Sequence, residues 1–194
     1  PPGSTFKIVT AAAGLESGAI TNETRIEDVG VIRIGSFSFP NWFFLQYGKR
    51  DGVLDVTDAL KRSNDIFFYK TAEFTGMEDL EATAKKFGLG NTLGIDLSGE
   101  AEGLFPNDAW KREAIGEQWY LGDTYHIGIG QGYLLTTPLQ VNTWTSVIAN
   151  GGSVYQPTVI KTQKAKAKMQ NFLKKETLVL IKDGMKEACA SGGT

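Results

Sequence analysis

One lysine sits inside a run that otherwise has no use for charge. Phe6-Lys7-Ile8-Val9-Thr10-Ala11-Ala12-Ala13-Gly14-Leu15 is apolar on nearly every side of a helix. A helix over Ser4 to about Ser17 puts Phe6, Val9 and Ala13 beside Ile8, Ala12 and Leu15, with Gly18 as its stop. Such a helix belongs in a core and carries Lys7 in with it. Burying an ammonium group is costly unless a partner or a reaction uses it. The chain has 194 residues, 41% of them hydrophobic, enough to bury a helix of this kind within one domain or most of one.

Composition removes several function classes. A formal net charge of −2 gives no electrostatic case for nucleic acid as a partner. A single histidine, His126, cannot form a histidine metal cage, and it argues against a Ser-His-Asp triad. The single cysteine, Cys189, excludes an internal disulfide but does not fix the compartment. No apolar run approaches the roughly 18 residues that a membrane helix needs. The chain starts on Pro-Pro-Gly without a methionine and reads as a piece of a longer protein.

Along the chain, Val31 to Phe39 alternates as a hairpin around Gly35-Ser36, followed by an aromatic-rich loop from Pro40 to Gly52. Helices are expected over about Thr57 to Arg62, Asp65 to Phe74 and Met77 to Phe87, the last closed by Gly88. Gly88 to Gly132 is glycine-rich and predicts long, ordered surface loops. Thr137-Pro138 opens a helix that runs to Asn150 before Gly151-Gly152. A strand over Val154 to Ile160 and a helix over Glu176 to Ala188 complete the reading. The lysines between Lys161 and Lys175 read as a solvated edge. Trp42, Phe43 and Phe44 read as core rather than as the wall of a groove.

Two short motifs can carry chemistry. In Ser4-Thr5-Phe6-Lys7 the serine and lysine stand at i and i+3, about 5–6 Å apart at Cβ on a helix. A serine needs a base to become a nucleophile, and a lysine serves only if burial or nearby positive charge lowers its pKa. The apolar surroundings and the helix start supply both conditions, and the start also offers free N–H groups for an oxyanion. A plain helix cap with a snorkelling lysine accounts for the same four letters. The second motif is Ser63-Asn64-Asp65, at the junction of two predicted helices. A second hydroxyl there could relay a proton to a leaving amine, and Asp65 could hold a substrate amide. A cap by Ser63 or Asn64 is the alternative.

Together these residues resemble a family. Ser-x-x-Lys with a second Ser-x-Asn motif and Lys-Thr-Gly marks penicillin-binding proteins and class A β-lactamases. "PPGSTFK" resembles the nucleophile motif of the transpeptidase domain of class B penicillin-binding proteins, most closely the elongation type, penicillin-binding protein 2. "SND" is similar to its second motif in a form that ends in Asp. "FGLGNTLGIDLSGEAEGLFP" (Phe87 to Pro106) and "WYLGDTYHIGIGQGYLLTTPLQ" (Trp119 to Gln140) resemble its glycine-rich segment and the stretch before the next core helix. The third motif is absent: Lys70-Thr71-Ala72 and Lys161-Thr162-Gln163 lack the glycine.

The resemblance implies an α+β fold of the β-lactamase/transpeptidase type, an antiparallel sheet flanked by helices, of which residues 1–194 are a mostly helical part. The membrane anchor, an N-terminal pedestal and the Lys-Thr-Gly strand would lie outside this stretch, so the stretch alone is expected not to turn over substrate. It implies D,D-transpeptidation of peptidoglycan stem peptides in wall elongation, on the outer side of the cytoplasmic membrane. Ser4 is then the nucleophile acylated by substrate or by β-lactam antibiotics, Lys7 its base, Ser63 the proton carrier and Asp65 a substrate-binding residue. The implied partner is a membrane glycosyltransferase, with neither cofactor nor metal. A β-lactamase is the near rival, though it needs a water-activating group and no Glu-x-x-x-Asn segment is found. A non-catalytic β-lactam sensor or wall-synthesis scaffold is the rival of a different class. Gly128-Ile129-Gly130-Gln131-Gly132 reads as a loop packed beside the active site, since no phosphate-cradling helix follows it.

Overall fold

The computed structural model describes residues 1–161 and 166–194. The chain enters through a single 3-10 turn, Gly3–Phe6, and continues as helix α1, Lys7–Ser17, which ends on Gly18 at φ 81°. Strands β1 (Ile26–Glu27), β2 (Val31–Ile34) and β3 (Phe37–Pro40) follow, then helix α2 (Trp42–Tyr47), strand β4 (Val53–Leu54) and helix α3 (Val56–Lys61). Helix α4 spans Asp65–Lys86, α5 Asp108–Ala114, α6 Leu121–Gly128 and α7 Pro138–Ala149. Strands β5 (Val154–Tyr155) and β6 (Ala167–Met169) precede the last helix, α8, Lys175–Ala188. The α+β reading holds: helices dominate, and the sheets are three antiparallel pairs, β1 with β4, β2 with β3 and β5 with β6.

Helix α1 is the centre of the core, as its composition requires. It packs on α4 and α8, while α3 packs on α8 and α6 on α4. Phe6, Val9, Ala11, Ala12 and Ala13 are fully buried. Phe6 meets Trp144 of α7 edge-on at 6.1 Å. Burying one such phenylalanine is worth about 1.5–3 kcal/mol. The small residues of α1 let α4 approach closely, so the fully buried Phe67 and Phe68 fill the remaining space.

Several expectations need correction. The segment Pro40 to Gly52 is not all loop, because α2 forms inside it and ends on Gly48 at φ 64°. None of its side chains is buried, so Trp42, Phe43 and Phe44 are not core. The glycine-rich region Gly88 to Gly132 contains α5 and α6. Helix α5 is capped by Asn107, whose side chain accepts from the Trp110 N–H at 3.0 Å. The expected strand Val154 to Ile160 is only two residues long. The two helices expected on either side of Gly76 run on as α4, with a kink at Gly76 where φ is 75°. Within the lysine-rich run, Thr162, Gln163 and Lys164 lie outside the described residues.

Other elements follow their local chemistry. The hairpin turns at Gly35-Ser36, with Ile34 opposite Phe37. Helix α7 begins with a reciprocal capping box: Thr137 Oγ1 accepts from the Gln140 N–H at 3.1 Å, and Gln140 Oε1 accepts from the Thr137 N–H at 2.9 Å. The same Gln140 donates through Nε2 to the carbonyls of Gly88, Asn91 and Glu102. Glu100 collects the N–H groups of Leu93, Gly94 and Ile95. These two side chains hold the irregular stretch between α4 and α5 in one conformation.

Candidate active site

Ser4 stands exposed in the 3-10 turn, one turn before the buried start of α1. In a 3-10 turn residues i and i+3 eclipse each other, which aligns Ser4 above Lys7. The turn is fixed by its neighbour: the Gly3 N–H donates to Gly130 O at 2.8 Å. Gly130 adopts φ 73°, and a Cβ there would collide with Gly3 O and Phe6 Cβ. Thr10 Oγ1 donates to Gly128 O at 2.8 Å. The Gly128–Gly132 segment therefore packs directly under the turn that carries Ser4, as the sequence reading expects.

Lys7 is 1% exposed. Its ammonium has three protons and finds three acceptors: Asp65 Oδ1 at 2.6 Å, Ser63 O at 2.6 Å and Ser63 Oγ at 3.1 Å. Among the described residues no hydrogen bond joins Lys7 to Ser4 Oγ. Burial pushes the Lys7 pKa below its ordinary value of 10.5, while the charge and hydrogen bond of Asp65 work in the opposite direction. The Phe68 ring adds a face 5.8 Å from the amine.

Ser63 lies between α3 and α4 with φ 47°, a left-handed conformation that a side-chain-bearing residue rarely adopts. That conformation turns both its carbonyl and its hydroxyl toward Lys7. Asn64 is the helix cap, accepting from the Phe67 N–H at 2.9 Å, so the capping alternative holds for Asn64 and not for Ser63. Asp65 is 8% exposed and uses both carboxylate oxygens inside the protein, one for Lys7 and the other for the Trp42 N–H at 2.8 Å. Asp65, expected to bind substrate, makes its side-chain ion pair with Lys7. Burial first, and then the Asp65 charge, raise the pKa of Tyr69 one turn further on.

The structure thus brings Lys7, Ser63 and Asp65 into one hydrogen-bonded centre, and Ser4 is exposed three residues before Lys7. A buried amine with a depressed pKa and a hydroxyl at hydrogen-bond distance is suited to moving protons at an acyl centre. Sequence reading missed Asn41, whose Oδ1 accepts from the Asp65 N–H at 3.1 Å. The only local signal was an Asn just before an aromatic run. A separate cavity of about 1060 Å³ opens between the β2–β3 hairpin and α6, lined by Phe37, Phe39, Trp119, Tyr120, His126 and Tyr133 among others. Ser4, Lys7, Ser63 and Asp65 do not line it.

Comparison with known proteins assigns the chain to a family. The family model described as penicillin-binding protein transpeptidase domain matches residues 1–194. Peptidoglycan D,D-transpeptidase MrdA of Salmonella typhimurium is 36% identical over 173 residues, covering 85% of this chain and 26% of that protein. The chain therefore spans about a quarter of the length of such curated relatives. The crystal structure of Pseudomonas aeruginosa PBP2 in complex with WCK 5153 superposes with a TM-score of 0.87 at 32% identity, over 100% of this chain and 45% of that one. PBP2 in its complex with MreC from Helicobacter pylori gives 0.86 at 32%, over 99% and 35%. The chain belongs to the penicillin-binding protein transpeptidase domain family.

Proposed function

We propose that residues 1–194 are part of one transpeptidase domain of a membrane-anchored peptidoglycan D,D-transpeptidase of the elongation type, acting outside the cytoplasmic membrane. Among the described residues no helix is long and apolar enough to cross a membrane. The observation that carries the reading is the buried Lys7 amine, which reaches Ser63 Oγ at 3.1 Å and arises one turn after the exposed Ser4.

In this reading Ser4 Oγ gives its proton to unprotonated Lys7 and attacks the carbonyl of a D-Ala-D-Ala terminus. First-turn N–H groups without intrahelical acceptors stabilise the oxyanion. The tetrahedral intermediate collapses to an ester on Ser4, and the proton passes from Lys7 through Ser63 Oγ to the departing D-Ala amine. An amine from a neighbouring stem peptide then attacks the ester, its proton passes to Lys7 and from Lys7 to Ser4 Oγ as the ester C–O bond breaks, and the Ser4 hydroxyl and the neutral Lys7 amine are restored. Asp65 acts through Lys7, whose amine it orients and keeps from losing its charge too readily. β-Lactams acylate Ser4 by the same first step. The MreC complex of the Helicobacter pylori relative supports assembly with wall-synthesis proteins, and the partner the family resemblance implies among them is a membrane glycosyltransferase.

No Lys-Thr/Ser-Gly occurs in the 194 residues, so the test uses the full-length protein. Incubation with a fluorescent penicillin and intact-mass measurement is expected to show one covalent adduct, absent from Ser4→Ala. An adduct retained by Ser4→Ala removes Ser4 from its role. Hydrolysis of the adduct faster than minutes would favour a β-lactamase, and labelling without cross-linking activity would favour a sensor.

A further inference from the structure

The corner that carries Ser63 is held from outside the Lys7 centre. Arg62 Nε donates to Asp51 Oδ1 at 2.9 Å, and the Arg62 carbonyl accepts from Trp42 Nε1 at 3.0 Å. Its guanidinium also lies 4.8 Å from the Phe43 ring. Asn64 Nδ2 donates to Asp28 Oδ2 and to Asp51 Oδ2, each at 3.0 Å. The Asp65 N–H donates to Asn41 Oδ1, and the next residue, Trp42, donates its N–H to the Asp65 carboxylate. Ser63 is therefore flanked by fastened residues while its own hydroxyl contacts Lys7. Its positive φ is the kind of conformation that persists only when the surroundings over-determine it.

These ties converge on Asp28, which is 1% exposed. Its Oδ1 accepts from the Gly30 N–H at 2.8 Å. Its Oδ2 accepts from Asn41 Nδ2 at 2.8 Å, from the Asp51 N–H at 2.9 Å and from Asn64 Nδ2. Four donors converge on one carboxylate, and apart from the longer glutamate no other side chain presents as many acceptors. Asp28 orders Asn41 and Asn64, and these two residues place Asp65 and Ser63. The Arg62 guanidinium pairs with Asp51, while Asp28 meets only uncharged donors among the described residues, so Asp28 is held by hydrogen bonding and not by charge neutralisation.

We propose that Asp28 is a positioning residue for the transpeptidase centre: through Asn41 and Asn64 it sets Ser63 Oγ and the Asp65 carboxylate at their distances from Lys7 Nζ. The proposal rests on Ser63 carrying the proton to the leaving amine. A displacement of about an ångström at a proton-transfer step costs on the order of 10²-fold in rate.

The test measures penicillin acylation of the full-length protein by stopped flow, separating the dissociation constant of the first complex from the acylation rate constant. Active sites are counted by intact mass, so each rate refers to molecules able to react. Asp28→Asn is expected to lower the acylation constant per active site by about 10–100-fold with the dissociation constant unchanged. Arg62→Lys keeps the positive charge but loses the Nε–H onto Asp51. It is expected to show the same effect at smaller size, and it decides the matter if Asp28→Asn does not fold. A purely structural role predicts fewer active sites, each reacting at the wild-type rate, and that result overturns the proposal. Absence of acylation in the wild type overturns the transpeptidase reading itself, a different outcome.

Discussion

Among the described residues two buried lysines face carboxylates, and they are pushed in opposite directions. Lys7 is 1% exposed and Lys111 3%. Lys7 has one acidic partner, Asp65, itself almost enclosed, and burial wins, so its pKa falls. At Lys111 burial also disfavours the charge, but hydrogen bonds and charges from Asp123 at 2.7 Å and Glu117 at 3.5 Å outweigh it, and the pKa rises. The Tyr120 ring, 4.7 Å from the amine, adds to the preference for the cation. The two sites differ both in how strongly the amine is desolvated and in how many carboxylates face it, and together these set the direction of each shift. Lys111 ties α5 to the start of α6 as a structural cation, whereas burial pulls the Lys7 pKa down, as the role proposed for it requires.

The contrast is open to attack at both centres. The largest effect is expected from Lys7→Met, which should slow penicillin acylation by about 10²–10⁴-fold, as loss of a general base does. Lys111→Met should leave that rate at the wild-type level, and an equal loss there would erase the distinction between the two lysines. Next comes Asp65→Asn. In the proposed mechanism only unprotonated Lys7 accepts the Ser4 proton, so the acylation rate should climb with pH until Lys7 is deprotonated. Asp65 holds that pKa up against burial, so its neutral replacement should shift the rising limb to lower pH while lowering the plateau. A limb that stays in place would show that Asp65 does not act on the amine.

Stability gives the smaller effects. Lys111→Met leaves Asp123, only 15% exposed, without its cation, and should lower the unfolding free energy by about 1–3 kcal/mol in a denaturant titration. Glu117→Gln alters a side chain that is 59% exposed, and should stay within about 0.5 kcal/mol. A loss from Glu117→Gln matching that from Lys111→Met would assign the surface acid a role that its exposure denies.

Where local chemistry sufficed, the elements were legible in the letters. The apolar run behind Lys7, the Gly35-Ser36 hairpin and the Thr137-Pro138 helix start each rest on residues within a few positions of one another. Helix α2 was not legible. It has six residues, no side-chain cap at Asn41 and no period long enough to read. Its aromatic side rests on Arg62, twenty residues later. Helices α5 and α6 were hidden by the glycines around them, although Asn107 and Asp123 carry capping signals in hindsight.

The order of residues by itself determined that a serine and a lysine share one helical entrance, that the lysine is buried, and that a second serine stands at a helix junction. Those are consequences of spacing and of apolar composition. Only the folded chain decided that Lys7 spends its protons on Ser63 and Asp65, and that Asp28, Asn41, Asp51 and Asn64 fasten that corner. Such partners lie up to 58 positions apart. Hydrogen bonds between distant residues leave no period or spacing in a sequence, because their geometry exists only once the core has closed around them.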